Sequence, residues 1–171
     1  GYDFFGSHFT EKDGKKGVIF RVWAPHAASV SVVGDFNKWD RFASPMNKIS
    51  DGGIWEIFIP GLKQYDAYKY SIETRSGELL MKSDPYANHF ETRPANASKI
   101  YESDYTWHDS DWLEQKKKQI VYKSPMNIYE VHLNSWQHKN FEEELFNYME
   151  CARELVPYVK KMGYTHIEMM P

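Results

Sequence analysis

The chain carries one cysteine, Cys151, in 171 residues, which rules out an intramolecular disulfide and suits a reducing, cytoplasmic setting. No apolar stretch approaches the roughly 18 residues that a membrane helix needs. The first residues lack a basic segment followed by an apolar one, so neither a membrane span nor a signal peptide is expected. Without a secretory signal, the sequon Asn96-Ala97-Ser98 reads as chance. Positive charge is scarce too: 21 lysines and arginines stand against 24 aspartates and glutamates, a net charge of −3. Phosphate neutralisation needs clustered lysine and arginine, and the one dense run, Lys116-Lys117-Lys118, reads as a solvated helix face, so a nucleic-acid partner is disfavoured. The seven histidines show no metal-ligand spacing, which argues against zinc. A phosphate-cradling glycine loop and a Gly-x-Ser-x-Gly elbow are both missing, and no cofactor is implied. The length also excludes a complete (β/α)₈ barrel, which takes about 250 residues.

What the sequence does have is 42% apolar and 16% aromatic residues, enough for a buried core. From Gly17 to about Tyr101 short apolar runs alternate and stop at turn residues, which predicts a mainly β domain, a β-sandwich of six or seven strands. The clearest runs are Gly17–Trp23, Ser29–Val33, Ile54–Ile59, Ala67–Glu73 and a short one around Leu79-Leu80-Met81. Period-2 spacing puts Tyr68, Tyr70 and Ile72 on one face and Lys69, Ser71 and Glu73 on the other, so Lys69 should point outward. Trp55 alternates with Ile57 and Ile59 and is expected in the core; Trp23 is left open between a surface and a domain junction.

After Tyr105 the pattern changes. Asp109-Ser110-Asp111 reads as a helix N-cap region, and Trp112 to Gln119 as a short connector helix. Ser124-Pro125 breaks the chain. Asn127–Leu133 then reads as a strand, Leu145, Met149, Ala152, Val156, Val159 and Met162 recur at helical spacing, and Tyr164–Met170 reads as a second strand. Pro157 is expected to kink the helix or start a second segment, and Gly163 to end it. The three expected parts are residues 1–108, 109–125 and 126–171. Strand, helix, strand makes one βαβ unit with parallel strands. Such a unit leaves strand edges unpaired, so 126–171 reads as the opening of a larger α/β domain cut at Pro171. The apolar faces around Val131, Leu133, Ile167 and Met169 should then lack partners and favour poor order or self-association.

Two motif sets carry a family resemblance. Gly34-Asp35-Phe36-Asn37-Lys38-Trp39-Asp40, with Gly53-Ile54-Trp55-Glu56, Tyr68-Lys69-Tyr70 and Lys82-Ser83-Asp84-Pro85-Tyr86-Ala87, resembles the family-48 carbohydrate-binding module, an immunoglobulin-like β-sandwich. Ile128–Trp136, with Leu155–Lys160 and Gly163–Glu168, resembles the first βαβ of the glycoside hydrolase family 13 barrel, a TIM-type (β/α)₈ fold. The combination is most similar to bacterial 1,4-α-glucan branching enzymes of glycogen synthesis; debranching enzymes and trehalohydrolases, or a non-catalytic glucan-binding module, are the alternatives. Asn134 stands where the branching family usually has glycine. The resemblance implies α-glucan as partner, Trp39 as a stacking platform, Lys69 as a donor and Asn96 as a further polar contact. A second tryptophan that stand-alone glycogen-binding modules carry is replaced by Leu79 and Leu80. A retaining transglycosylase needs two carboxyl groups about 5 Å apart, and the family holds its own on barrel strands later than the second. No catalytic residue is therefore expected in this chain, which alone should be inactive. Glu130 and Glu168, mid-strand, are expected to pair within a barrel wall, and His132 and His166 to be satisfied core histidines.

Overall fold

The computed structural model describes residues 1–139 and 145–170. They form two compact units, Gly1–Thr106 and Trp107–Pro171; Pro171, where the sequence suggests a cut, lies outside the described residues.

The first unit is built from antiparallel sheets. One sheet has the order β1 (Gly6–Lys12), β2 (Lys15–Trp23), β5 (Ile54–Pro60), β4 (Asn47–Lys48). In the other, β3 (Ala27–Gly34) lies beside β6 (Ala67–Thr74). The far edge of β6 is shared: its start pairs with β9 (Ser98–Lys99) and its end with β7 (Leu79–Lys82). Strand β8 (His89–Phe90) completes this sheet against β9. The inward faces interleave Val18, Phe20, Val22 and Trp55 with Val30, Val32, Tyr68, Tyr70 and Ile100. Trp55 is buried as its alternation predicts, and its Nε1 donates to the carbonyl of Ala24. Trp23 lies on the surface, 63% exposed, with Nε1 donating to the Gly52 carbonyl. Strand β1 has no counterpart in the sequence reading. Its run Gly-Ser-His-Phe-Thr-Glu-Lys offers one large apolar residue, Phe9, because an edge strand buries little.

In the second unit, α1 (Ser110–Lys118) starts after Asp109 as its cap sequence predicts. Strand β10 (Ile128–His132) runs parallel to β11 (His166–Met170), and α3 (Tyr148–Lys161) connects them, which gives the βαβ crossover. Leu133 leaves the strand and opens a single helical turn, α2 (Leu133–Trp136). Helix α3 begins at a capping box: Asn147 Oδ1 accepts from the Glu150 amide at 3.0 Å and Glu150 Oε2 from the Asn147 amide at 2.8 Å. Pro157 lies inside this one helix and does not start a second segment.

The buried stripe of α3 is Cys151, Leu155 and Val159, spaced by four, which shares only Val159 with the stripe that the apolar spacing predicts. Met149, Ala152 and Val156 are exposed, and Leu145 precedes the helix. The helix is apolar around a wide arc, and the two strands cover only part of it. Val131 is accordingly packed against Leu155 and Val159, contrary to the expectation that its face lacks partners. Leu133 and Ile167 pack at the margin of this cluster, and Met169 remains 60% exposed.

Candidate functional site

The loop after β3 is made by close approaches. A Cβ on Gly34 would sit 2.3 Å from the carbonyl oxygen of Ala67, so only glycine lets the loop lie this close to β6. One 3₁₀ turn, Asp35–Asn37, follows. Lys38 and Trp39 then both take left-handed backbone conformations, φ 57° and 59°, each costing about 1–2 kcal/mol for a residue with a side chain. Hydrogen bonds offset that strain. The Trp39 amide donates to the Gly34 carbonyl at 2.9 Å. Asn37 accepts from the Gly34 amide and donates to the Val32 carbonyl and to Ser44 Oγ. Replacing Asn37 by alanine orphans the first two of these groups at a half-buried position. We expect a loss of about 2 kcal/mol, read in a thermal melt as a midpoint lower by about 10 °C.

Past Trp39 the loop crosses the outer face of the second sheet. Arg41 reaches Glu73 Oε2 at 2.5 Å, and Ser29 Oγ donates to the same carboxylate oxygen. The Arg41 guanidinium, with Ser29, holds the Glu73 carboxyl below its usual range. Glu73 and Lys69 are four residues apart on β6 and share that outer face, so Arg41, two residues past Trp39, anchors the loop to the face where Lys69 lies. Trp39 is 38% exposed, and its Nε1 donates to Asp35 Oδ1 at 2.7 Å. Lys69 is half-buried and outward, as period-2 spacing predicts, and its Nζ donates to Asn96 Oδ1 at 2.5 Å. Asn96 is exposed, while its carbonyl accepts from Ser83 Oγ. Lys69 and Asn96 therefore touch across 27 residues of sequence, on the face to which Arg41 ties the Trp39 loop. An indole in contact with water, an ammonium and an amide can together stack on a sugar ring and bond its hydroxyls.

Two carboxylates and two histidines singled out in the sequence stand elsewhere. Glu130 and Glu168 are opposite each other in the parallel register, and both are exposed. His166 is exposed, with Nδ1 at 2.8 Å from Thr165 Oγ1, and half-buried His132 has Nδ1 at 3.2 Å from Ser135 Oγ. Both histidines lie on the sheet face opposite that of Val131 and Ile167, which α3 does not cover. Among the described residues no group of acids, histidines or cysteines is arranged to hold a metal.

One buried polar centre went unnoticed in the sequence. Asp84 is fully buried, and both Tyr68 and Tyr70 donate their hydroxyls to its Oδ2, at 2.6 and 3.0 Å. Its Oδ1 accepts from the Tyr86 amide, and its own amide donates to Ser98 Oγ. Burial raises the Asp84 carboxyl above its ordinary value. Burial, followed by the Asp84 charge, pushes both tyrosine hydroxyls far up. Ser83-Asp84-Pro85 looks like a turn, and nothing local announces that two core tyrosines reach it.

Comparison with known proteins adds three findings. The family model of carbohydrate-binding module 48 (isoamylase N-terminal domain) matches residues 4–87. The chain is 46% identical over 171 residues to a 1,4-alpha-glucan branching enzyme GlgB of Bacillus cereus (strain Q1), covering 99% of this chain and 26% of that enzyme. The corresponding enzyme of Bacillus mycoides is 44% identical over the same share. The chain thus spans about a quarter of the length of these relatives. Among solved structures, apo pullulanase from Klebsiella pneumoniae superposes with a TM-score of 0.65 at 23% identity, over 98% of this chain and 20% of that one. The pullulanase SAP in complex with maltotetraose gives 0.64 at 22%, over 98% and 23%. These structural likenesses speak to the fold. Residues 4–87 thus match the family 48 carbohydrate-binding module, and the chain along nearly its whole length is similar to about a quarter of the length of the bacterial 1,4-α-glucan branching enzymes.

Proposed function

We propose that this chain is the amino-terminal part of an α-glucan branching enzyme, acting in glycogen synthesis, and that it holds the glucan without cutting it. Residues 1–108 would be the binding module, 109–125 a connector, and 126–171 the opening strand, helix and strand of the catalytic barrel. The observation that carries the binding role is the Lys69–Asn96 hydrogen bond on the face to which Arg41 ties the loop of Trp39. Trp39 supplies the stacking surface, and Lys69 and Asn96 bond the hydroxyls. The debranching alternative has weaker support, because the likeness to pullulanases is one of fold, whereas the likeness to branching enzymes reaches 46% identity.

Chemistry belongs to further polypeptide. Glu130 and Glu168 sit mid-strand and exposed, whereas barrel enzymes draw catalytic groups from strand ends. A cytoplasmic location suits the free, buried thiol of Cys151. The exposed Val156 and Met169, which line one apolar cavity with Ile167, form the surface through which the second unit would associate with another copy. The test is electrophoresis of the chain through gels with and without glycogen, beside an assay for new α-1,6 linkages in linear α-glucan. The expected result is retardation by glycogen and no branches. Unchanged mobility would refute the binding role, and branch formation would refute the division of labour.

A further inference from the structure

Asp35 faces two ways. One oxygen accepts from Trp39 Nε1, and the residue also lines a cavity of about 250 Å³. Phe36 and Ala67 line the same cavity, together with Tyr65, Lys99 and two further carboxylates, Asp66 and Glu91. The strand register puts this cavity on the face already described. Ala67 is two residues from Lys69 on β6 and so points the same way; Lys99 lies opposite Ala67, and His89 opposite Lys99.

The lining selects a ligand class. Tyr65 is 52% exposed, yet its ring is braced by His89 and Tyr101, with centroids 5.4 and 5.9 Å away. Asp66 uses one oxygen to accept from the Lys63 amide, and Glu91 one to accept from the Ala97 amide, which leaves each a second oxygen as acceptor. Lys99 makes no ion pair with any of the three carboxylates among the described residues. Three acids against one lysine repel phosphate and carboxylate ligands, and the donors and acceptors make the cavity too polar for a hydrocarbon. A neutral polyhydroxylated ring fits both conditions. The volume lies below the roughly 300–1,000 Å³ of pockets that enclose drug-sized ligands, so the cavity suits a short stretch of sugar and not a long one.

We propose that this cavity is a further subsite of the same glucan track: a chain stacked on Trp39 runs past Asp35 and sets a following glucose unit against Tyr65, within reach of Lys99, Asp66 and Glu91. The proposal rests on the Trp39 reading. It predicts that long and short glucans part company, because a short one is held by the Trp39 face alone.

The experiment is calorimetric titration of the 171-residue chain and of Tyr65→Ala, Lys99→Ala and Trp39→Ala with maltotriose and with maltoheptaose, each variant first checked by thermal melting. The expected result is that Tyr65→Ala weakens maltoheptaose about fivefold to tenfold and changes maltotriose less than twofold, that Lys99→Ala shows the same selectivity, and that Trp39→Ala weakens both sugars. Maltoheptaose binding unchanged in both Tyr65→Ala and Lys99→Ala would overturn the subsite while leaving the Trp39 site standing. Should Tyr65→Ala melt early and weaken both sugars alike, Lys99→Ala decides: a selective loss supports the subsite, and no loss overturns it. If Trp39→Ala spares both sugars, the underlying reading has failed and the shared track fails with it, whatever Tyr65→Ala does.

Discussion

Trp39→Ala should lose most of the affinity of this chain for glycogen and keep its fold. An indole that stacks on a sugar ring is a dominant contact of its site, worth about 2 kcal/mol, or roughly 30-fold in dissociation constant. The loss is separable from stability because Trp39 is 38% exposed and outside the core cluster. Its backbone is left-handed, so Trp39→Gly relieves strain while raising the entropy of the unfolded chain, two effects of about 1 kcal/mol that oppose each other. Glycine at this position is therefore expected to melt within a few degrees of the parent and to migrate through glycogen gels as if no glycogen were present. Trp39→Phe keeps a ring but loses the donor to Asp35 and should fall between the two. Retardation of Trp39→Ala equal to that of the parent would remove Trp39 from the site.

That Lys69 and Asn96 meet, on the face to which Arg41 ties the Trp39 loop, was legible only in part. Alternation along Ala67–Glu73 is a local signal, and it correctly separates the buried Tyr68 and Tyr70 from Lys69, although Ser71, on the outer face by the same spacing, is buried as well and Ile72 only half-buried. The Lys69–Asn96 contact has no such signal: it exists because β9 pairs with β6, and those two strands are two residues long where they meet. Only the likeness to a family joined the two residues in advance. The left-handed pair at Lys38 and Trp39 was invisible for another reason. Neither residue prefers that conformation, and the bonds of Asn37 impose it. In the second unit, helical periodicity found the helix but only Val159 of its stripe is buried, because α3 is apolar over more of its circumference than two strands can cover. The cluster of Tyr65, His89 and Tyr101 assembles from three separate segments and leaves no pattern in any one of them.

Asp84→Ala is expected to be the most destabilising single change in the first unit. It removes the acceptor for the hydroxyls of Tyr68 and Tyr70, both fully buried, and for the Tyr86 amide. Each orphaned donor costs about 1–3 kcal/mol. Allowing for hydroxyl rotation, the sum is about 3–5 kcal/mol, against a total stability of about 5–15 kcal/mol for an ordinary domain. A thermal melt should show the midpoint lower by at least about 12 °C, and a midpoint within 3 °C or so of the parent would show that the tyrosines find other partners. Asp84→Asn tests the charge separately. Its carbonyl can still accept from both tyrosines, but its amide then meets the Tyr86 N–H donor to donor, so an intermediate loss is expected at neutral pH. The pH dependence follows from the sign of the shift. Because burial raises the Asp84 carboxyl above its unfolded value, the folded chain holds this proton more tightly than the unfolded chain does. The group's contribution therefore lowers stability as pH rises from the ordinary carboxylate range through the raised value, and the penalty is lifted as pH falls back below it. Asparagine does not titrate. The parent should therefore gain stability relative to Asp84→Asn as pH is lowered through that window, and a difference between them that is flat or shrinks on acidification would show that Asp84 carries no raised carboxyl in the fold.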